Sequence, residues 1–232
     1  MATIVITGAS QGIGAAIAEA LAGEGRTLCL VARNQTNLER VAEVCTSKGA
    51  EARIFPCDVT DEDAVRQMAA SVADAAGVPD VLVNNAGAFV PGSLVETTRE
   101  VFESQMSVNV TSAFLVTRAF LPGMTLRKSG RIVFMGSVAS VRGYPGGVAY
   151  CAAKHAVLGL SRAVREETKD AGIQVSTILP GATLTPSWDG VDIPEDRFMP
   201  ADDIAQAVRS IVEMSSRTVV EEVLLRPQEG DL

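Results

Sequence analysis

Short β-branched runs alternate with longer segments of helical spacing from one end of the chain to the other, and the runs are apolar almost throughout. A strand exposed on one face shows apolar residues at every second position. One covered on both faces is continuously apolar, as in a parallel sheet with helices on either side. The runs fall at 2–7, 27–32, 52–56, 81–84, 131–136, 173–179 and 219–225. Helical periodicity covers 12–24, 36–48, 61–75, 99–126, 148–169 and 201–214. Strand–helix–strand units joined by right-handed crossovers build a doubly wound α/β fold. No linker, charge block or internal repeat marks a second unit, so residues 1–232 are expected to form a single domain. The one long irregular stretch, 181–200, holds Pro186, Pro194, Pro200 and the only tryptophan, Trp188. A loop of that length is expected to serve as a short lid at about 183–200.

Composition removes several classes of function. Hydrophobic residues make up 47% of the chain, enough for a large core and too many for wholesale disorder. A net charge of −8 with a pI near 4.8 argues against nucleic acid as a partner, since phosphate neutralisation needs a basic face. No apolar run reaches the roughly eighteen residues of a membrane span. The four cysteines, Cys29, Cys45, Cys57 and Cys151, are scattered with no CxxC pair and read as reduced core residues. Residues 2–6 already read as a strand rather than a leader, so a cytoplasmic protein is expected. A single histidine, His155, leaves no His-rich metal site, and no metal is expected.

Thr7-Gly8-Ala9-Ser10-Gln11-Gly12-Ile13-Gly14 joins the first strand to the first helix. Its glycines permit a tight turn and close approach of backbone to a ligand. The helix start then offers unpaired N–H groups and a positive dipole end to a pyrophosphate. The spacing is Gly-x-x-x-Gly-x-Gly, and the strand–turn–helix context supports it. At the end of the second strand, where an acidic residue would bind the ribose hydroxyls of NAD, the chain has Val31-Ala32-Arg33-Asn34. Arg33 can pair with a 2′-phosphate, which points to NADP(H). Asp58 can accept from an adenine amine or serve the start of the next helix. Asn84-Asn85-Ala86-Gly87 can lock the end of the fourth strand and present backbone to a cofactor, or form a plain turn.

Tyr150 and Lys154 lie on one face of a helix at i, i+4. A nearby ammonium favours the phenolate, as a general acid/base working near neutrality requires. In a chain this poor in both residues the spacing arises by chance roughly 3% of the time. Ser137, thirteen residues before Tyr150 at the end of the fifth strand, can donate to a substrate carbonyl.

These motifs together resemble the classical short-chain dehydrogenase/reductase family. The turn at Gly8, Gly12 and Gly14, Asp58, Asn84-Asn85-Ala86-Gly87, Asn109, Ser137, Tyr150-x-x-x-Lys154 and Pro180-Gly181 match its pattern in order, across essentially the whole chain. The resemblance implies a seven-stranded parallel sheet in the order 3-2-1-4-5-6-7. It implies a catalytic set of Asn109, Ser137, Tyr150 and Lys154. Tyr150 would exchange a proton with the substrate oxygen, Lys154 would lower its pKa and hold the nicotinamide ribose, Ser137 would polarise the carbonyl, and Asn109 would hold a relay water. It also implies NADP(H) contacts from Gly8, Ser10, Gln11, Gly12, Ile13, Gly14, Arg33, Asp58, Val59, Asn85, Ala86, Gly87, Tyr150, Lys154, Pro180, Gly181, Thr183 and Thr185. Gln11 stands where many NADP-dependent relatives carry a basic residue.

The expected reaction is hydride transfer between nicotinamide and a small-molecule carbonyl or secondary alcohol. The alternatives are a 3-oxoacyl thioester reductase and a non-catalytic NADP(H)-sensing module. Arg127, Lys128 and Arg131 resemble the basic residues with which carrier-protein reductases meet an acidic carrier. The short lid and the few residues after the last strand predict an open cleft. Met106, Phe114, Phe120 and Met124 form an apolar set larger than one helix face needs, so a homodimer or homotetramer is expected.

Overall fold

In the computed structural model, which describes residues 2–232, seven strands form one parallel sheet in the order β3-β2-β1-β4-β5-β6-β7. The strands are β1 Ala2–Thr7, β2 Arg26–Ala32, β3 Glu51–Pro56, β4 Val81–Asn84, β5 Gly130–Met135, β6 Ile173–Pro180 and β7 Glu222–Leu225. The helices are α1 Gly12–Leu21, α2 Gln35–Ser47, α3 Glu62–Ala76, α4 Arg99–Met106, α5 Ser112–Arg127, α6 Val148–Thr168 and α7 Ala201–Val212.

Both faces of the sheet are covered, which is why its strands are continuously apolar. Ile4 and Ile6 of β1 face a core shared with Ile17 and Leu21 of α1, Leu38 of α2 and Ile204 and Val208 of α7. Val5, between them, faces the other core with Val65 and Val72 of α3, Val116 and Phe120 of α5 and Val157 of α6. The strand order reverses between β1 and β4, both of which pair in parallel. A doubly wound sheet opens a crevice at that switch point, beyond the carboxyl ends of its strands. Thr7 ties the crevice floor: its hydroxyl donates to the Val83 carbonyl at 3.3 Å and accepts from the N–H groups of Asn85 and Ala86 at 3.0 and 3.1 Å.

Three elements differ from the sequence expectation. The segment expected as one helix over 99–126 is broken by a π-helical turn at Ser107–Thr111. The last strand begins at Glu222 rather than at 219. The first helix stops at Leu21, with Ala22 already extended. All four cysteines are free and buried, and burial pushes the Cys29, Cys45 and Cys57 thiols up to about 11. Among the described residues no helix is long and apolar enough to cross a membrane, and no acidic, His or Cys cluster could hold a metal.

Candidate active site

A cleft of about 520 Å³ opens at the carboxyl ends of β1, β4, β5 and β6. Its inner wall is backbone. Gly8 and Gly12 have φ of +65° and +55°, the left-handed region glycine favours. A Cβ on Gly14 would stand 2.1 Å from the Gly8 carbonyl oxygen, so only glycine lets the helix start under the turn. No side chain caps α1 and its first turn carries no acid, which leaves the leading N–H groups and the positive dipole end available to an anion. Asn85 closes the turn from the opposite side, its Nδ2 donating to the Thr7 and Gly8 carbonyls at 3.0 and 3.3 Å. Asn84 donates to the Thr117 hydroxyl at 2.8 Å. The amides of this segment lock the strand end, and its backbone faces the cleft.

Ser137 follows β5 and starts a 3-10 turn, Val138–Ser140. The Ser137 hydroxyl accepts from the Ala139 N–H, and the Ser140 hydroxyl accepts from the Ser137 N–H, both at 3.1 Å. Tyr150, in the first turn of α6, meets the edge of the Phe89 ring at 5.1 Å between centroids. Lys154, one turn later, places its Nζ 5.5 Å from the Tyr150 ring centroid and donates to the Met135 carbonyl at 2.9 Å.

The charge states differ from the simplest reading of the pair. Burial raises the Tyr150 phenol above its ordinary value, and only a hydrogen bond with Ser137 works against the shift. Lys154 is also buried, which pulls its ammonium from 10.5 to about 8. Its Nζ is directed at the Met135 carbonyl, and burial is the leading cause of the phenol's shift. The sequence predicts a tyrosine lowered by its lysine; burial in the cleft instead pushes the phenol up and the ammonium down.

Asn109 sits in the π-helical turn, a feature that recurs at functional sites. Its Nδ2 donates to the Ala88 and Gln105 carbonyls at 2.9 and 3.0 Å. The Oδ1 is buried without a partner. A Cβ on Gly87 would lie 2.7 Å from that oxygen and 3.5 Å from Lys154 Nζ, so the two atoms face each other past a bare Cα.

The cleft brings together most of the residues singled out by sequence. Gly8, Gln11, Gly12, Ile13, Gly14, Asn85, Ala86, Gly87, Asn109, Ser137, Tyr150, Lys154, Pro180, Gly181, Thr183 and Thr185 all line it. Ser10, Arg33, Asp58 and Val59 do not. Arg33 and Asp58 are exposed past the ends of β2 and β3. The Thr60 N–H and hydroxyl hold the Asp58 carboxyl below its ordinary range, and the Arg33 charge adds to this, which makes the two residues neighbours. The cap of α3 is Asp61, not Asp58.

The outer wall was less legible. Thr183 and Met199 bridge the base of the 183–200 loop, with Leu184 N–H donating to Met199 O at 2.8 Å. Thr185 then folds onto the glycine turn, 3.3 Å from where Gly12 would carry a Cβ. Trp188 lines the cleft and packs on Phe198 at 4.9 Å. Asp231 and Leu232, beyond β7, line it as well. Tyr144 and Arg142 also line the cleft and carry no motif.

Arg127 and Arg131 are occupied elsewhere. Arg127 pairs with Asp80 at 3.1 Å and donates to the Val78 and Pro79 carbonyls. Arg131 donates to the Ile211 carbonyl at 2.9 Å and to that of Met214. Both lie at the start of β5, the end away from the cleft.

A family model described as short chain dehydrogenase matches residues 2–195. The chain is 34% identical to a sepiapterin reductase of Chlorobaculum tepidum, over 99% of this chain and 97% of that protein. An alcohol dehydrogenase from the archaeon Thermococcus sibiricus, solved with 5-hydroxy-NADP, has a TM-score of 0.92 at 32% identity, covering 100% of this chain and 99% of that one. The L-sorbose reductase of Gluconobacter frateurii, solved with NADPH and L-sorbose, has a TM-score of 0.90 at 28% identity, covering 97% and 95%.

Proposed function

This chain belongs to the short-chain dehydrogenase family, and we propose that it is an NADP(H)-dependent reductase of small carbonyl compounds with Tyr150 as proton donor. One observation carries the reading: Ser137, Tyr150, Lys154 and Asn109 meet in the same cleft as an uncapped helix start. The donor set fits a dinucleotide. The α1 N–H groups and the Gly8–Gly14 backbone suit a pyrophosphate, bare Gly87 leaves room beside Lys154, and Arg33 suits a 2′-phosphate. The solved neighbours carry NADP-type cofactors, which supports the choice. Bound NADPH supplies the hydride.

The chain's own residues supply the rest. Ser137 and Tyr150 position the carbonyl oxygen by hydrogen bonds. Because burial keeps the phenol protonated, Tyr150 is ready to donate its Oη proton as the oxygen gains charge. Lys154, at about 8, is able to return that proton. The unpartnered Asn109 Oδ1, facing Lys154 across Gly87, suits the water that would connect them.

The reading treats residues 1–232 as one domain with 183–200 as lid, and the assembly as a homodimer or homotetramer. Phe102 of α4 and Phe114 of α5 remain exposed at 40% and 43%, while Phe120 and Met124 are taken up by the core. A dedicated carrier-protein reductase is disfavoured by the engagement of Arg127 and Arg131. A sensing module would have no use for all four polar groups in the cleft. The test is NADPH oxidation over a panel of ketones. Tyr150→Phe is expected to retain NADPH binding and to lower kcat by at least about a hundredfold. Turnover surviving that substitution would remove Tyr150 from its role.

A further inference from the structure

Two guanidinium groups share one carboxylate at the outer end of the cleft. Arg226 holds Asp231 at two points, Nε to Oδ1 at 3.0 Å and Nη2 to Oδ2 at 2.7 Å. Arg142 reaches the same carboxylate at one point, Nη1 to Oδ2 at 3.1 Å. Among the described residues, the Nε and Nη2 of Arg142 have no hydrogen-bond partner. Because Arg226 holds both oxygens of the carboxylate, Asp231 leaves Arg142 only partly neutralised.

Its position is fixed relative to the reacting groups. The Arg142 N–H donates to the Val138 carbonyl at 3.0 Å, and Val138 belongs to the 3-10 turn that Ser137 and Ser140 clamp. The root of the side chain is therefore held a short loop away from Ser137. Among the described residues one other cationic side chain lines the cleft, Lys154, which is buried and donates to Met135. Among the described residues Asp231 is the only acidic side chain on the wall, and Arg226 already holds it. A neutral substrate would have no use for a half-free arginine fork beside the carbonyl site. An anionic substrate would bind it with charge-assisted hydrogen bonds.

We propose that Arg142 is a specificity-determining residue that receives a carboxylate on the carbonyl substrate, with Asp231 standing in that place when no substrate is bound. The substrate class is then the oxo acids. The inference rests on the reading that carbonyl reduction occurs at Tyr150, and it adds which carbonyls are accepted. The incoming carboxylate displaces Asp231 from the Arg142 Nη1 and engages the unused Nη2 beside it, while Asp231 keeps its two-point bond to Arg226.

Trp188 is the only tryptophan and lines the cleft, so its fluorescence reports binding without turnover. The NADP+-saturated protein is titrated with a ladder of methyl ketones ending in a carboxylate, from 3-oxobutanoate to 7-oxooctanoate, and with their methyl esters. At the best length the acid is expected to bind about tenfold more tightly than its ester, a value moderated by the exposure of Arg142. In Arg142→Gln the acid falls to the affinity of its ester. In Asp231→Asn, which removes the competitor, the acid gains about threefold. Raising the salt to about 1 M shrinks the preference. In steady state the preference appears in KM rather than kcat.

The proposal is overturned if no acid in the ladder binds more tightly than its ester. It is overturned equally if Arg142→Gln weakens both members of the pair alike, or if Asp231→Asn abolishes the acid preference, which would make Asp231 the recognising group. The same titration in Tyr150→Phe keeps the two readings apart. A charge preference retained in a variant that still turns over would spare Arg142 and sink Tyr150. Loss of turnover with no charge preference would do the reverse.

Discussion

From Gly8 to Gly14 the wall of the cleft is backbone, with a carbonyl oxygen 2.1 Å from where a Gly14 Cβ would stand. From Arg142 to Asp231 it is side chains, joined by one ion pair at 3.1 Å between groups that are 65% and 26% exposed. The inner half is built for one shape, and its hydrogen-bond donors are in place before any ligand arrives. Arg142, Tyr144, Trp188 and Asp231 in the outer half sit on loops whose contacts can be exchanged without disturbing the sheet. A cofactor used in every turnover suits a site preorganised in backbone. Substrate choice suits residues that can change one at a time.

Glycine substitutions break the comparison most sharply. Gly14→Ala forces Cβ onto the Gly8 carbonyl and toward Asn85 Nδ2, and it should cost about 3 kcal/mol of stability together with NADPH binding. Gly143→Ala, in the outer loop, meets nothing within 4 Å and should change stability by no more than about 0.5 kcal/mol. Urea melts and a cofactor titration on the two variants check both. Equal effects would mean that the halves are not built differently.

Lys154 joins the halves and gives a pH signature. Its ammonium is lowered from 10.5 to about 8 in the folded chain. Between those values the unfolded chain binds the proton more strongly, so stability contributed at this site rises as pH rises from about 8 toward 10.5, by at most about 3 kcal/mol. Subtracting the urea stability of Lys154→Met at each pH isolates the effect, because the raised thiols contribute alike to both proteins. A flat difference would mean that the lysine is not desolvated. In turnover the proposed role of Lys154 predicts a fall in reduction rate as pH passes about 8, where the amine loses the proton it would return to Tyr150.

The contrast between the halves also explains what could be read from the residues. Continuous apolar runs gave the parallel sheet, because two covered faces leave no polar strand positions. The glycines at 8, 12 and 14 were legible because backbone conformation and close approach exclude every other side chain there. The π-helical turn around Asn109 was not, since neither Gly nor Pro marks it and a tertiary contact to the Ala88 carbonyl holds it. The raised phenol of Tyr150 escaped for a related reason. Spacing reveals the neighbouring lysine, but burial is a property of the assembled cleft, and burial decides the sign. The Arg226–Asp231–Arg142 cluster couples positions up to 89 residues apart by ion pairs that follow no spacing rule.

Arg33 stands outside the enclosed cleft, beside Asp58, and on it rests the preference for the phosphorylated cofactor. The most direct test titrates the wild-type protein and Arg33→Ala with NADPH and NADH, following nicotinamide fluorescence. NADPH should bind at least about tenfold more tightly than NADH, and the substitution should remove that margin while leaving NADH nearly unchanged. NADH binding as tightly as NADPH in the wild type would contradict the account, and binding of neither would contradict the assignment of the glycine-rich turn.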